Sequence, residues 1–368
     1  MPVPYFDLSR AVRRIAPALD ERWRRVLADT AFVLGPEVRE LEEGFAAFLG
    51  AAGCVGVANG TDALVLALRA LDLGPGDEVI VPAFSFFATP EAVSLAGGVP
   101  VFADVEPETL NLDPGEVAAR VTPRTVGVMG VHLYGRPFDA DRLGAVCERH
   151  GLWLVEDAAQ AHGASWRGRR AGTIGRLAGW SFYPTKNLGG FGDGGAVSGP
   201  DADLLGRVRL LAHHGQDRRY HHLLVGTNSR LDSLQAAVLN CRLGHLAADN
   251  ERRRAIAARY REELAATGDL SFPVDPPEGV VVYHQFAVRT GRRDALAAHL
   301  AERGVGSSIH YPEPLHRQPA YADHPQAGER LAVAEAAAAE LLCLPCYPEL
   351  GDDEVDEVCA AVRGFFGG

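Results

Sequence analysis

Ser181-Phe182-Tyr183-Pro184-Thr185-Lys186-Asn187-Leu188-Gly189-Gly190-Phe191-Gly192-Asp193-Gly194-Gly195 contains the only lysine of a 368-residue chain. Lys plus Arg number 36, so every other member of that set is arginine. A position that stays lysine in such a background needs something arginine cannot supply. Arginine is a permanently charged planar fork, whereas a lysine amine can lose its proton and act as a nucleophile. The main use of such an amine is a Schiff base with a carbonyl, including the aldehyde of pyridoxal phosphate. The plainer alternative is a surface lysine with no task, and the flanks argue against it. Trp180 to Tyr183 reads as a short apolar strand that Pro184 stops. Glycines then crowd from Gly189 to Gly195, where they let the backbone approach a ligand closely. Gly190-x-Gly192-x-x-Gly195 formally matches a dinucleotide fingerprint, but it precedes another strand-like run, Ala196-Val197-Ser198, instead of opening a helix.

The length suits two domains. With 47% hydrophobic and 23% charged residues, the composition is that of a soluble globular protein. The start, Met1 to Asp7, lacks a basic-then-apolar signal pattern, and no uncharged apolar run is long enough to cross a bilayer. A cytoplasmic protein is expected. A net charge of −12 with no long basic face argues against non-specific nucleic-acid binding, while leaving room for a small anionic substrate. Six scattered cysteines suit reduced thiols. Cys343-Leu344-Pro345-Cys346 has no second ligand pair at zinc spacing, so buried thiols are the better reading.

Outward from the lysine segment, strands alternate with helices. Helices are expected over 8–29 and 38–48, then a strand over 54–58 that turns at Asn59-Gly60-Thr61-Asp62 into a helix over 63–71. Thr61 is a plausible N-cap there, and the free N–H groups of such a turn make an anion site. Strands at 78–82, 99–104, 125–132 and 152–157 alternate with helices at 85–95, 114–120 and 140–150. Continuous Val/Ile runs in this alternation mean an α/β fold with a largely parallel, doubly covered sheet, whose ligands bind at the carboxyl ends of its strands. Phe86, Asp157 and Lys186 all fall just after predicted strands. Beyond Gly199, helices are expected at 204–213, 230–243 and 247–267, the last crossing between domains. The run His213 to His222 reads as a polar binding or interface loop; its histidine pairs lack helical ligand spacing. A small α+β domain follows, with strands at 280–289 and 305–309 and helices at 293–303, 330–342 and 352–365. Domains are thus expected at 1–245 and 246–368, with the N-terminal helix free to pack on the smaller one.

A pyridine-type cofactor would need Lys186 for its aldehyde and a carboxylate against its ring nitrogen, for which Asp157 is the candidate. Phe86 offers a flat face for the ring, although any of Phe84, Phe86 and Phe87 could be core. Gly60, Thr61 and Ser181 offer donors to a phosphate.

Together these stretches resemble the DegT/DnrJ/EryC1/StrS family of pyridoxal-phosphate-dependent sugar aminotransferases. The likeness runs through Gly35-Pro36-Glu37-Val38, Gly60-Thr61-Asp62-Ala63-Leu64, Gly76 to Pro82, Val131-His132-Leu133-Tyr134-Gly135, Glu156 to Ala164 and the Lys186 segment. It continues through Asn228 to Asp232, Gln235-Ala236-Ala237, His310-Tyr311-Pro312 and Leu344 to Leu350. The resemblance implies a fold-type I aminotransferase: a large cofactor domain, a small C-terminal domain, and a homodimer with both sites at the subunit interface. It makes Lys186 the Schiff-base lysine and Asp157 the partner of the pyridine nitrogen. It sets Gln160 toward the ring oxygen and Phe86 on the ring, with Thr61 and Ser181 on the phosphate and Asn228 reaching that phosphate from the neighbouring subunit. It also implies that Arg230, His310 and Tyr311 are the partner's contribution to a nucleotide-sugar pocket. No metal is implied.

The implied reaction moves an amino group from glutamate or glutamine to a ketone on a nucleotide-linked sugar. A branch that removes a hydroxyl carries His at the Schiff-base position, and Lys186 departs from it. The loop 214–222 resembles members that aminate UDP-linked 3-keto-hexuluronic acids, and the opening Val3 to Leu8 resembles members acting on dTDP-linked 3-keto-6-deoxy sugars. A 3-keto dTDP- or UDP-sugar is therefore expected, with a 4-keto nucleotide sugar or a keto-cyclitol as alternatives and a non-catalytic regulatory protein as a distant one.

Overall fold

The computed structural model describes residues 2–367. Seven strands form one sheet: β1 (Gly53–Val57), β2 (Glu78–Pro82), β3 (Val99–Ala103), β4 (Thr125–Val131), β5 (Trp153–Asp157), β6 (Leu177–Ser181) and β7 (Gly195–Gly199). Their spatial order is β1-β7-β6-β5-β4-β2-β3. Strands β2 to β6 pair in parallel, and only β7 runs against its two neighbours, β6 and β1. The runs are apolar because both faces are covered: all five residues of β2 are buried. One consequence decides where a ligand can bind. Six strands point the same way, so the carboxyl ends of β1, β2, β5 and β6 open onto one edge, and the chain brings Gly60, Phe86, Asp157 and Lys186 there.

Helices α1 (Leu8–Asp29), α2 (Pro36–Leu49), α3 (Gly60–Ala70), α4 (Ala88–Leu95), α5 (Pro114–Arg120), α6 (Ala140–His150), α7 (Ala202–Ala212) and α8 (Ser233–Leu243) surround this sheet. Helix α9 (Leu246–Glu263) leads into the C-terminal layer, with α10 (Arg293–Glu302), α11 (Ala332–Glu340) and α12 (Asp352–Phe366) around the antiparallel pair β8 (Phe286–Arg289) and β9 (Leu341–Leu344). Its apolar cluster joins Tyr260, Phe286, Leu300, Leu344 and Val358 to Val3 from the other end of the chain. Helix α1 bridges the two layers. Ile15 and Leu19 pack on Ala237 and Val238 of α8, while Arg10 pairs with Glu354 of α12 at 2.6 Å and Arg14 with Asp249 of α9 at 2.6 Å.

Several expectations need correction. The predicted strand over 280–289 is broken: Gly279–Val280 pairs with Ser165–Trp166, and only Phe286–Arg289 is β8. Between them the backbone is drawn onto the turn after β4, where Val282 N–H donates to Gly135 O at 3.0 Å and His284 N–H to Tyr134 O at 2.9 Å. The 305–309 strand reduces to isolated bridges, Val3 with Val305 and Ser308 with Cys343. Helix α11 stops at Glu340 because Leu341–Leu344 is taken up by β8. The 213–222 loop is a hairpin, Gln216–Arg218 against His221–His222. Its histidines are used locally: His221 lies 2.6 Å from Asp217, and His222 donates to His214 O at 2.8 Å. The N-cap of α3 is Asn59, not Thr61; its side chain accepts from Asp62 N–H at 2.8 Å.

Candidate active site

The lysine segment is a loop between β6 and β7, pinned at many points. Lys186 N–H donates to Tyr183 O at 2.8 Å, and Gly190 N–H to Phe182 O at 2.7 Å. Arg242 holds Gly189 O at 2.6 Å, and Gln235 accepts from Phe191 N–H at 2.8 Å. Asn187 donates to Asn250 Oδ1 of α9 and to Val282 O, both at 2.9 Å. Phe182 and Leu188 anchor the loop in the core. Lys186 is left with its amine in the cleft, partly open to solvent, and no hydrogen bond or ion pair holds it among the described residues. Burial lowers its pKa to about 8, and the Asp157 charge acts the other way. Around it lie imidazoles that burial and the lysine charge keep neutral, His162 at about 3 and His310 at about 4.

Strand alternation separates two adjacent carboxylates. Glu156 faces inward and is fully used: His132 Nε2 lies 2.9 Å away, and it accepts from the N–H groups of Gly172, Ile174 and Gly175, each at 2.8 Å. Asp157, at the end of β5, faces the lysine side. Burial raises its pKa, and Thr89 Oγ1 opposes this by donating to Oδ2 at 2.8 Å. Ala159 N–H donates to Oδ1 at 3.2 Å. Thr89 was not singled out from the sequence, although it sits four residues after Ser85, at helical spacing.

The three phenylalanines after β2 divide cleanly. Phe84 is core, and Phe87 packs on Tyr321. Phe86 is 53% exposed, with its ring centroid 5.8 Å from that of Tyr311.

At the start of α3 the N–H groups of Gly60 and Thr61 have no protein acceptor among the described residues, since Asn59 satisfies those of Asp62 and Ala63. A Cβ on Gly60 would lie 2.7 Å from Ser181 Cβ, so this helix start abuts the end of β6. Two free N–H groups, the Thr61 and Ser181 hydroxyls and a helix N-terminus share one spot, a cradle for an anion.

Gln160 accepts from Tyr134 N–H at 2.6 Å and donates to the Tyr311 hydroxyl at 3.1 Å. The Tyr134 hydroxyl in turn donates to His310 O. His310 and Tyr311 therefore stand beside Gln160 in the cleft of the chain that carries them. A cavity of about 220 Å³ beside them is lined by Tyr5, Tyr183, Thr185, His284 and Gln285. Asn228 and Arg230 are not brought to Lys186. Asn228 is exposed, and Arg230 lines a different cavity of about 250 Å³ with Leu34, His213 and Asp217. Ser229 between them is buried and tethers this strip to α3, donating to Asp62 at 2.6 Å.

The Lys186 amine, the buried Asp157 carboxylate, the free N–H groups of α3 and the exposed Phe86 ring all lie at the carboxyl ends of the parallel strands. The profile of the DegT/DnrJ/EryC1/StrS aminotransferase family matches residues 14–363. The chain belongs to this family. Among its relatives, the Streptomyces venezuelae dTDP-3-amino-3,4,6-trideoxy-alpha-D-glucose transaminase is 47% identical, over 98% of this chain and 95% of its own. The Pseudomonas aeruginosa UDP-2-acetamido-2-deoxy-3-oxo-D-glucuronate aminotransferase is 42% identical, over 98% and 99%. The crystal structure of S. venezuelae DesV in complex with a ketimine intermediate superposes with a TM-score of 0.97 at 46% identity, covering 100% of this chain and 99% of that one. Among the described residues of this chain no group of three or more His, Cys, Asp or Glu side chains is set to hold a metal ion, and no helix is long and apolar enough to cross a membrane.

Proposed function

We propose that this aminotransferase uses pyridoxal 5′-phosphate to move an amino group from glutamate or glutamine to a nucleotide-linked 3-keto sugar. The observation that carries the reading is the placement of Lys186, its amine lowered to about 8, and the buried Asp157 after two neighbouring parallel strands, β6 and β5, beside the free N–H groups of α3. The residues fit the cofactor by their chemistry: the two free N–H groups and the hydroxyls of Thr61 and Ser181 suit a phosphate, the exposed Phe86 offers a face to a ring, and Gln160 offers an amide donor to a ring oxygen. When bound, the cofactor supplies an aldehyde for amines and a ring that accepts electron density.

The chain supplies the rest. Asp157 holds a proton at the ring nitrogen by staying ionised. Lys186 Nζ, substantially neutral near pH 8, accepts the proton from the donor's α-carbon and returns it, work worth ~10²–10⁴-fold. His310, Tyr311 and the neighbouring cavity flank the lysine on the side open to a sugar. Asn228 and Arg230 serve the second subunit of a homodimer. Supporting this, Arg230 shares a cavity with Leu34, an apolar side chain at 41% exposure, and Val225, three positions before Asn228, is 84% exposed. The same reading divides the chain into 1–245 and 246–368, supported by the apolar cluster that α9 and the segment after it build around Val3, and sets it in the cytoplasm, supported by six free thiols. The two relatives named above, whose names specify a dTDP-linked 3-amino and a UDP-linked 3-oxo sugar, support the substrate class.

The test is spectroscopic. Purified protein given pyridoxal phosphate gains a visible band, loses it on adding glutamate, and regains it on adding a dTDP- or UDP-linked 3-keto sugar. Protein that stays colourless sinks the cofactor; recovery with a free keto-cyclitol alone sinks the nucleotide sugar.

A further inference from the structure

We propose that Thr89 is a positioning residue for the pyridine-nitrogen carboxylate: its hydroxyl keeps Asp157 ionised and aimed, and Ser85 orients that hydroxyl. The inference rests on the cofactor reading above and extends it to two buried hydroxyls linked to Asp157. Thr89 is fully buried in the first turn of α4, and Ser85 is 1% exposed in the bend before it. Among the described residues, Thr89 Oγ1 is the only side-chain donor to Asp157, at 2.8 Å from Oδ2. A threonine hydroxyl has one proton. With that proton on Asp157, the 3.2 Å contact between Ser85 and Thr89 must have Ser85 donating. The chain Ser85 to Thr89 to Asp157 therefore has one polarity while the carboxylate is charged, and it reverses only if Asp157 takes a proton.

The need for such a device is physical. Asp157 is 6% exposed, and desolvation favours its neutral form, which could not hold a ring-nitrogen proton. Lys186 and His132 favour its charge from a distance, and the Asp157 charge in turn raises the Tyr311 hydroxyl's pKa. The Thr89 bond is the direct countermeasure. A hydrogen bond to a charged group is worth enough to change a binding constant by about 10-fold or more.

The experiment is a titration of cofactor-stripped protein with pyridoxal phosphate, followed by quenching of tryptophan fluorescence. The wild type is compared with Thr89→Val, Thr89→Ser, Asp157→Asn and the double variant. Thr89→Val is expected to weaken binding about 10-fold or more, and Thr89→Ser, which keeps the donor, to stay within about 3-fold of wild type. Because Thr89 acts through Asp157, Thr89→Val adds nothing on the Asp157→Asn background. Wild-type affinity in Thr89→Val, equal loss in Thr89→Ser, or full additivity in the double variant each overturns the proposal. Should Thr89→Val fail to fold, Thr89→Ala removes the same donor without added bulk and is judged by the same comparisons. No saturable uptake by wild type would overturn the cofactor reading, and the proposal with it. That outcome is distinct from wild-type uptake that Thr89 leaves unchanged.

Discussion

Lys186 and Asp157 carry opposite burdens from the same burial. Desolvation disfavours both charges, lowering the amine to about 8 and raising the carboxyl. For the amine this is useful, because a neutral amine is the reactive form. The rate at which stripped protein captures pyridoxal phosphate should rise with pH through about 8 and level off above it, in a stopped-flow series. Stability follows the sign of the shift. Between about 8 and the ordinary lysine value of 10.5 the unfolded state binds more protons than the folded one, so this group's contribution to stability rises with pH there. Denaturation of Lys186→Leu over that window should lack the rise. Lys186→Arg keeps the charge but not the nucleophile, and should lose transamination by at least ~10²–10⁴-fold in a coupled assay. For Asp157 burial is a cost. Its penalty grows as pH rises from the unfolded carboxylate value toward the raised folded one, and is present in full above both. Asp157→Asn should therefore leave the stripped protein no less stable at neutral pH, while weakening cofactor binding about 10-fold or more.

At the level of elements, the site depends on two close approaches that only glycine permits. Gly60→Ala would drive a Cβ into Ser181 at 2.7 Å, prising the start of α3 from the end of β6. An overpacking cost of ~1–3 kcal/mol is expected in thermal unfolding, with weakened capture of the phosphate group. Gly135 has φ +84°, and a Cβ there would meet Val282 at 2.7 Å and Gln160 O at 2.9 Å. It marks the strip where Tyr134 and Gly135 dock the segment 282–284. That strip explains what the sequence could and could not reveal. Strands β2 to β5 were legible because parallel strands buried on both faces are written as unbroken apolar runs. The lysine segment was legible because one lysine among arginines is chemically conspicuous. The broken 280–289 strand was not, because its apolar residues fit a strand equally well, and the carbonyls that divert it are some 150 positions earlier in the chain. Thr89 stayed hidden for a related reason: its partner lies on another strand, and a threonine in a first helical turn looks like a helix start.

For the whole molecule, the separation of Arg230 and Asn228 from Lys186 has a direct test. If one subunit's Arg230 serves the other's Lys186, neither Lys186→Ala nor Arg230→Ala homodimers have a complete site. A dimer of one of each has a single intact site. Unfolding and refolding equal amounts together should restore about a quarter of wild-type activity, since about half the dimers are mixed and each has one working site of two. If both residues act within one chain, mixing restores nothing.

The solitary amine in the cleft also turns the chain into its own gauge. Its side-chain cations, Lys186 apart, are guanidinium groups, so amine-directed reagents find, apart from the chain terminus, one target, and on the proposed function that target is the reaction centre. The part of a fluorescent acylating dye's uptake that a bound cofactor shields would count working sites. Attaching the protein to a support through side-chain amines, harmless for most enzymes, would here capture the molecule by the group proposed to do its chemistry.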